Sequence, residues 1–188
     1  MELDSIVVGP IQTNCYLLKS TEGNFLIIDP GDNPEKILEK VPKDKIKMIV
    51  STHGHFDHIT AAMVLKRKTD AKLLINLADS FMFPSDFEVD IPLEDGMEIS
   101  LDDIKLKVIS TPGHTPGSIC LFDEKDKILF SGDTLFYSDH GRCDLPGSSY
   151  KDMVSSLKRI FKLPEDVIVY PGHGPKTNIK DEKNRGLI

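Results

Sequence analysis

The sequence predicts a mixed α/β or α+β fold, on three observations. Strand-like apolar runs outnumber helical ones, nearly every run is short and bounded by Gly, Pro or Asp, and the helical stretches are few and one-sided. A chain of 188 residues is expected to form a single domain, residues 1–188, large enough to bury a sizeable core.

The segment from Ser5 to Asp29 reads as strand-rich, with Leu26-Ile27-Ile28 running into Asp29-Pro30-Gly31. Asn33-Pro34 opens a helix through Ile37, Leu38 and Val41 that stops at Pro42, with proline at the favourable first position. Met48-Ile49-Val50 is a strand leading into Thr52-His53-Gly54-His55-Phe56-Asp57-His58, and a second helix follows from about Thr60 to Lys68. Ile104 to Ile109, whose first five residues alternate apolar and Lys, leads to His114. Ile128-Leu129-Phe130 leads to Asp133. Ser149 and Asp152 form a capping box for the third helix, where Met153, Val154, Leu157, Ile160 and Phe161 recur at helical spacing. Val167 to Tyr170 leads to His173.

Every chemistry-bearing residue is therefore expected just beyond the C-terminal end of a strand, where loops on a rigid scaffold hold functional groups. Imidazole and carboxylate are ligands for zinc, iron and manganese alike. His53, His55, Asp57 and His58 are too crowded to reach one ion without strain, but they can serve two side by side. His114, Asp133 and His173, each beside Gly or Pro, supply further donors. Asp57 is read as a ligand rather than a helix N-cap. Asp29, in its Asp-Pro-Gly turn, is read with Thr52 as orienting the histidine loop by hydrogen bonds. His140 is open between an ordinary side chain and a functional one.

Composition excludes several classes. The chain is 39% hydrophobic and 28% charged, with a formal net charge of −7, which argues against a nucleic-acid surface. No run approaches the roughly 20 apolar residues needed to cross a bilayer, and the acidic start Met1-Glu2-Leu3-Asp4 is no signal peptide. Three cysteines without Cys-x-x-Cys spacing give neither a disulfide framework nor a thiolate site, as expected in a reducing cytoplasm. Cys15 and Cys120 read as core residues and Cys143 as a mostly passive loop thiol.

His53-Gly54-His55-Phe56-Asp57-His58 resembles the His-x-His-x-Asp-His signature of the metallo-β-lactamase superfamily. Thr13-Asn14-Cys15-Tyr16-Leu17, Asp29-Pro30-Gly31, the His114 turn, Gly132-Asp133-Thr134-Leu135-Phe136 and Gly172-His173-Gly174 follow the family order. Within it the chain looks most like the glyoxalase II branch, whose members hydrolyse thiolesters such as S-lactoylglutathione. Gly141-Arg142-Cys143-Asp144-Leu145-Pro146-Gly147 resembles the Gly-Arg-Thr-Asp segment of its short members. The resemblance implies a four-layer αββα sandwich and two divalent ions, zinc first, with iron or manganese suited by the same donors. His53, His55 and His114 would hold one ion, Asp57, His58 and His173 the other, and Asp133 would bridge them.

The longer glyoxalase II proteins carry a C-terminal helical domain that contacts glutathione, and this chain ends at Ile188. By spacing from Asp133, Arg142 falls where those proteins have a glutathione-contacting Lys, and Asp144 falls where they have a Tyr. Arg142 is thus either a substrate carboxylate clamp or a structural partner of Asp144 or Asp139. The expected reaction is hydrolysis of a small-molecule thiolester by hydroxide bridging the two ions, with Asp57 and Asp133 as catalytic carboxylates and no nucleic-acid or membrane partner. Alternatives are a single-iron persulfide dioxygenase, using His55 or His53 with His114 and Asp133, and a hydrolase of another ester, lactone or phosphodiester.

Overall fold

The computed structural model describes residues 1–85 and 87–188 and stacks two six-stranded sheets with helices on both outer faces. The first sheet runs in chain order: β1 (Glu2–Val8), β2 (Thr13–Lys19), β3 (Phe25–Ile28), β4 (Ile46–Val50), β5 (Lys72–Ile75) and β6 (Ile91–Pro92). Its first three strands are antiparallel and the rest add in parallel. The second sheet is built from β7 (Glu98–Leu101), β8 (Ile104–Ser110), β9 (Ile119–Asp123), β10 (Ile128–Gly132), β13 (Ile168–Pro171) and β14 (Thr177–Asn178), in the order β14-β13-β10-β9-β8-β7. A two-stranded ribbon, β11 (Leu135–Phe136) and β12 (Asp139–His140), follows β10. The helices are α1 (Pro34–Lys40), α2 (Phe56–Lys68), α3 (Tyr150–Ile160) and α4 (Ile179–Arg185).

The period-two alternation of the strands builds the layers. In β2 and β3, Leu18, Leu26 and Ile28 face the second sheet, where they meet Ile104, Leu106, Val108, Leu121 and Phe130. Leu17 and Ile27 point the other way, onto Ile37 of α1 and Ala61, Ala62 and Leu65 of α2. On the far side, Cys120, Phe122 and Val169 pack under Met153, Leu157 and Ile160 of α3 and Ile179 of α4. Each fully buried Leu or Ile contributes about 1.5–3 kcal/mol, and the Lys residues of β8 remain on the solvent side. No helix among the described residues is long and apolar enough to cross a membrane.

Three expectations are corrected. The second helix begins at Phe56 rather than near Thr60, so Asp57 and His58 stand in its first turn and not in a strand-end loop; His55 occupies the N-cap position. The N-terminal strand begins at Glu2 rather than Ser5: Glu2 to Val8 pair along β2 as an edge strand, with Leu3 packed toward the second sheet and Ile6 toward the helices on the other face. The sequence reading also lacks α4, which Asn178 caps by accepting the Asp181 N–H.

The topology gathers the site at one end. Strands β10 and β13 are parallel and in register at Gly132 and Pro171, so Asp133 and His173 leave the sheet side by side. The Ile119 N–H donates to the Thr52 carbonyl at 2.9 Å, tying the loop after β4 to the second sheet.

Candidate metal centre

All seven expected donors converge. Their inner atoms form three overlapping groups, each within 4.8 Å: His53–His55–His114, His53–His58–Asp133 and Asp57–His58–His173. His58 Nε2 lies 3.4 Å from Asp133 Oδ1, and His114 Nε2 lies 3.4 Å from Asp133 Oδ2. His173 Nε2 lies 3.2 Å from Asp57 Oδ2 and 3.3 Å from His58 Nε2.

The hydrogen bonds behind these rings decide which nitrogens are bare. Asp29, in the left-handed backbone region (φ 50°), accepts the Thr52 N–H and the Thr52 hydroxyl, both at 2.7 Å. The Thr52 proton is thereby committed, so its oxygen accepts from His53 Nδ1 at 3.2 Å. His53 Nε2 is left unprotonated, buried and without a hydrogen-bond partner. His58 Nδ1 sits 3.0 Å from Asp29 Oδ2, at contact distance but off hydrogen-bond alignment, which turns its Nε2 inward. His114 Nδ1 lies 2.8 Å from the Arg142 carbonyl. A carbonyl only accepts, so Nδ1 carries the proton and Nε2, 2.8 Å from His55 Nδ1, is bare. Asp133 Oδ1 is likewise buried and unpartnered. Imidazole nitrogens and carboxylate oxygens crowded face to face, two of them buried without a partner, are what divalent cations require.

Electrostatics divide the donors: His53 and His55 favour the neutral form that ligates a metal, whereas His58 and His173 favour a proton that a bound cation would displace. Burial, then the charges of His58 and His114, hold His53 well below the ordinary histidine range, and burial also lowers His55. Burial opposes ionisation of Asp57, but the hydrogen bond to His173 and the charge of His58 outweigh it and bring its pKa to about 2. Asp133 is lowered too, the three histidines beside it outweighing its burial. His58 and His173 are raised despite burial, the first by Asp133 and Asp29, the second by Asp57 and Asp133.

The rest of the fold braces these turns. The Thr13 hydroxyl donates to Asp57 Oδ2 at 3.3 Å. Asn14 Nδ2 donates to the Pro171 and Gly174 carbonyls, and the Tyr16 hydroxyl donates to Pro171 at 2.6 Å, so the Thr13-to-Leu17 motif clamps the His173 turn. Gly172 has no room for a side chain: a Cβ would overlap Asp133 Oδ1 and come 2.8 Å from His58 Cε1. Gly113 lets α3 rest on the His114 turn, its carbonyl accepting the Ser149 N–H at 2.8 Å. Asp79, buried between the His53–His55 and His114 turns, has no motif around it and escapes sequence reasoning.

Arg142 presents a different picture from the other site residues. Its Nε and Nη2 each lie 2.9 Å from an oxygen of Asp144, and both side chains are about two-thirds exposed (67% and 70%). Cys143 Sγ points at the Gly141 carbonyl. His140 Nδ1 contacts the Gly141 carbonyl at 2.8 Å, its ring lies near Tyr150, and it belongs to none of the donor groups.

Comparison with known proteins agrees with this geometry. Residues 8–173 match the family model of the metallo-beta-lactamase superfamily. A Haemophilus influenzae protein named hydroxyacylglutathione hydrolase GloC is 34% identical, across 97% of this chain and 95% of its own. The crystal structure of TTHA1623 in a di-iron-bound form superposes with a TM-score of 0.87 at 35% identity, covering 97% of this chain and 98% of that one. The structure of ETHE1 from Myxococcus xanthus gives the same TM-score at 27% identity, covering 98% and 83%. With its fold, its clustered His and Asp donors and these matches, the chain belongs to the metallo-β-lactamase superfamily, a family of mostly hydrolases.

Proposed function

We propose that this chain hydrolyses thiolesters of the hydroxyacylglutathione type with the help of two divalent ions, zinc first among those its donors suit. The observation that carries the proposal is the set of five inward imidazole nitrogens and two carboxylates, two of whose atoms, His53 Nε2 and Asp133 Oδ1, are buried with no hydrogen-bond partner. The 34% identity to the hydroxyacylglutathione hydrolase relative supports the substrate class, and the di-iron form of a 35% identical protein supports the count of two.

His53, His55 and His114 would hold one ion, Asp57, His58 and His173 the other, and Asp133 both. Bound ions supply Lewis acidity and bring the pKa of coordinated water down toward neutrality. Thr52, held by Asp29, fixes the tautomer of His53, and Asp29 lies against Nδ1 of His58, so the Nε2 atoms of both rings face inward in advance. Asp57 and Asp133 stay ionised as donors. Neither is needed as a general acid, because a thiolate leaves without protonation. On the loop after β12, Arg142 would exchange Asp144 for a substrate carboxylate, and the two N–H groups now paired with Asp144 suit that geometry.

A second reading is a persulfide dioxygenase with one iron. It is favoured by the closeness of Asp133 to His114, which itself groups with His53 and His55, since two histidines and one aspartate make an iron triad. Metal content of protein grown in defined medium, followed by activity on a thiolester panel and on glutathione persulfide, separates the two. Thiolester turnover is the expected result, and oxygen consumption on persulfide without it overturns the proposal.

A further inference from the structure

Asp79 sits in a 3-10 turn, Leu77–Met82, and is fully buried. Its Oδ2 accepts the Gly54 N–H at 2.9 Å and the Thr115 hydroxyl at 2.5 Å, and its Oδ1 accepts the Gly117 N–H at 2.7 Å. Gly54 stands between His53 and His55, and Thr115 follows His114. One carboxylate thus joins the turn after β4 to the turn after β8, the two segments that carry His53, His55 and His114. Asp57, His58 and His173 are braced by other residues, Thr13, Asn14 and Asp29.

The fit is close on both sides. A Cβ on Gly117 would come within 2.6 Å of the Asp79 carboxyl carbon, and one on Gly54 within 2.8 Å of the Asp79 carbonyl oxygen. Thr115 is fixed again by Ser118, whose hydroxyl accepts the Thr115 N–H at 3.1 Å. A buried carboxylate is expensive to desolvate, so one with every partner in the ligand loops holds those loops in a single arrangement.

We propose that Asp79 is a positioning residue that presets the spacing of the His53, His55 and His114 donors, and so sets the affinity of that group for a divalent ion while leaving the Asp57–His58–His173 group unaffected. The proposal rests on the two-ion reading above. Asp79→Asn keeps the shape but turns one acceptor into a donor facing an N–H or hydroxyl. Residues behind metal ligands typically change affinity by about 10–100-fold when altered.

The test is titration of the metal-stripped full chain with zinc against a competing chelator, resolving each affinity, with melting temperatures recorded alongside. Asp79→Asn should weaken one ion about 10–100-fold and spare the other. Thr115→Val, which removes a single hydroxyl, should weaken the same ion less. His173→Ala should weaken the opposite ion and so assign the two. Asn76→Ala removes the cap of the same 3-10 turn, where Asn76 Oδ1 accepts the Ala78 N–H, without touching the ligand loops; it should leave both affinities alone even if the melting temperature falls. The proposal is overturned if Asp79→Asn changes neither affinity, weakens both equally, weakens the ion that His173→Ala weakens, or is matched by Asn76→Ala. A wild-type chain that took up one ion would sink the two-ion reading instead, and Asp79→Asn would then have to weaken that ion.

Discussion

His114 hydrogen-bonds through Nδ1 to the backbone carbonyl of Arg142, 2.8 Å away. The loop that carries Arg142 therefore orients a candidate metal ligand with its main chain, while the Arg142 side chain closes on Asp144 outside. These two roles separate under mutation.

Arg142→Ala keeps the carbonyl, so metal content should not change. If the guanidinium serves substrate carboxylates, KM rises several-fold for thiolesters that carry one and stays constant for uncharged ones. Asp144→Ala should do the reverse and lower KM for the anionic substrates, because it frees the guanidinium. Steady-state kinetics on a matched charged and uncharged pair reads both effects. Equal changes on the two substrates would mark the Arg142–Asp144 pair as structural only.

Among the described residues, Asp133 is the one carboxylate within reach of His58, His114 and His173 together. Asp133→Ala should weaken both ions and reduce turnover by several orders of magnitude. His140→Ala, at a ring that faces the Gly141 carbonyl and Tyr150, should leave metal content at the wild-type value. Elemental analysis of the two purified variants checks this, and an Asp133→Ala protein retaining both ions and its rate would remove the bridging role.

The thiols give a pH dependence. Burial pushes Cys120 up to about 11 and Cys15 well above the ordinary range. Cys143 is raised as well, by its partial burial and then by Asp144. A raised pKa means less thiolate at a given pH, so all three should alkylate more slowly than a free thiol at pH 8. Cys143, the least buried, should react first, with a rate still climbing above pH 9. Mass spectrometry of iodoacetamide labelling against pH measures it; a Cys143 rate that levels off below pH 8 would show an activated thiolate that this environment does not explain.

What the sequence makes legible depends on distance along the chain. The turn after β4 that carries His53 and His55, the strand ends before His114, Asp133 and His173, and the Ser149 cap are all local, and each falls at its expected place in the fold, whereas Asp57 and His58 fall in the first turn of α2. The start of α2 is hidden because the N-cap position holds His55, whose side chain makes no capping bond, so no Ser, Thr, Asp or Asn marks the boundary. The cap of α4 is local as well, Asn178 accepting the Asp181 N–H, but the helix is only seven residues long and has no apolar stripe at helical spacing to mark it. Asp79 is invisible for a deeper reason: its partners Gly54 and Gly117 are 25 and 38 residues away, and only the packing of two sheets brings them to one carboxylate.

The central claim is a thiolester hydrolase that needs two ions, and the most direct measurement is the rate of thiolester hydrolysis as zinc is added stepwise to the metal-stripped chain. The account predicts that hydrolysis is absent without metal and levels off near two equivalents per chain. A plateau at one equivalent, or no thiolester hydrolysis at any loading, would contradict it.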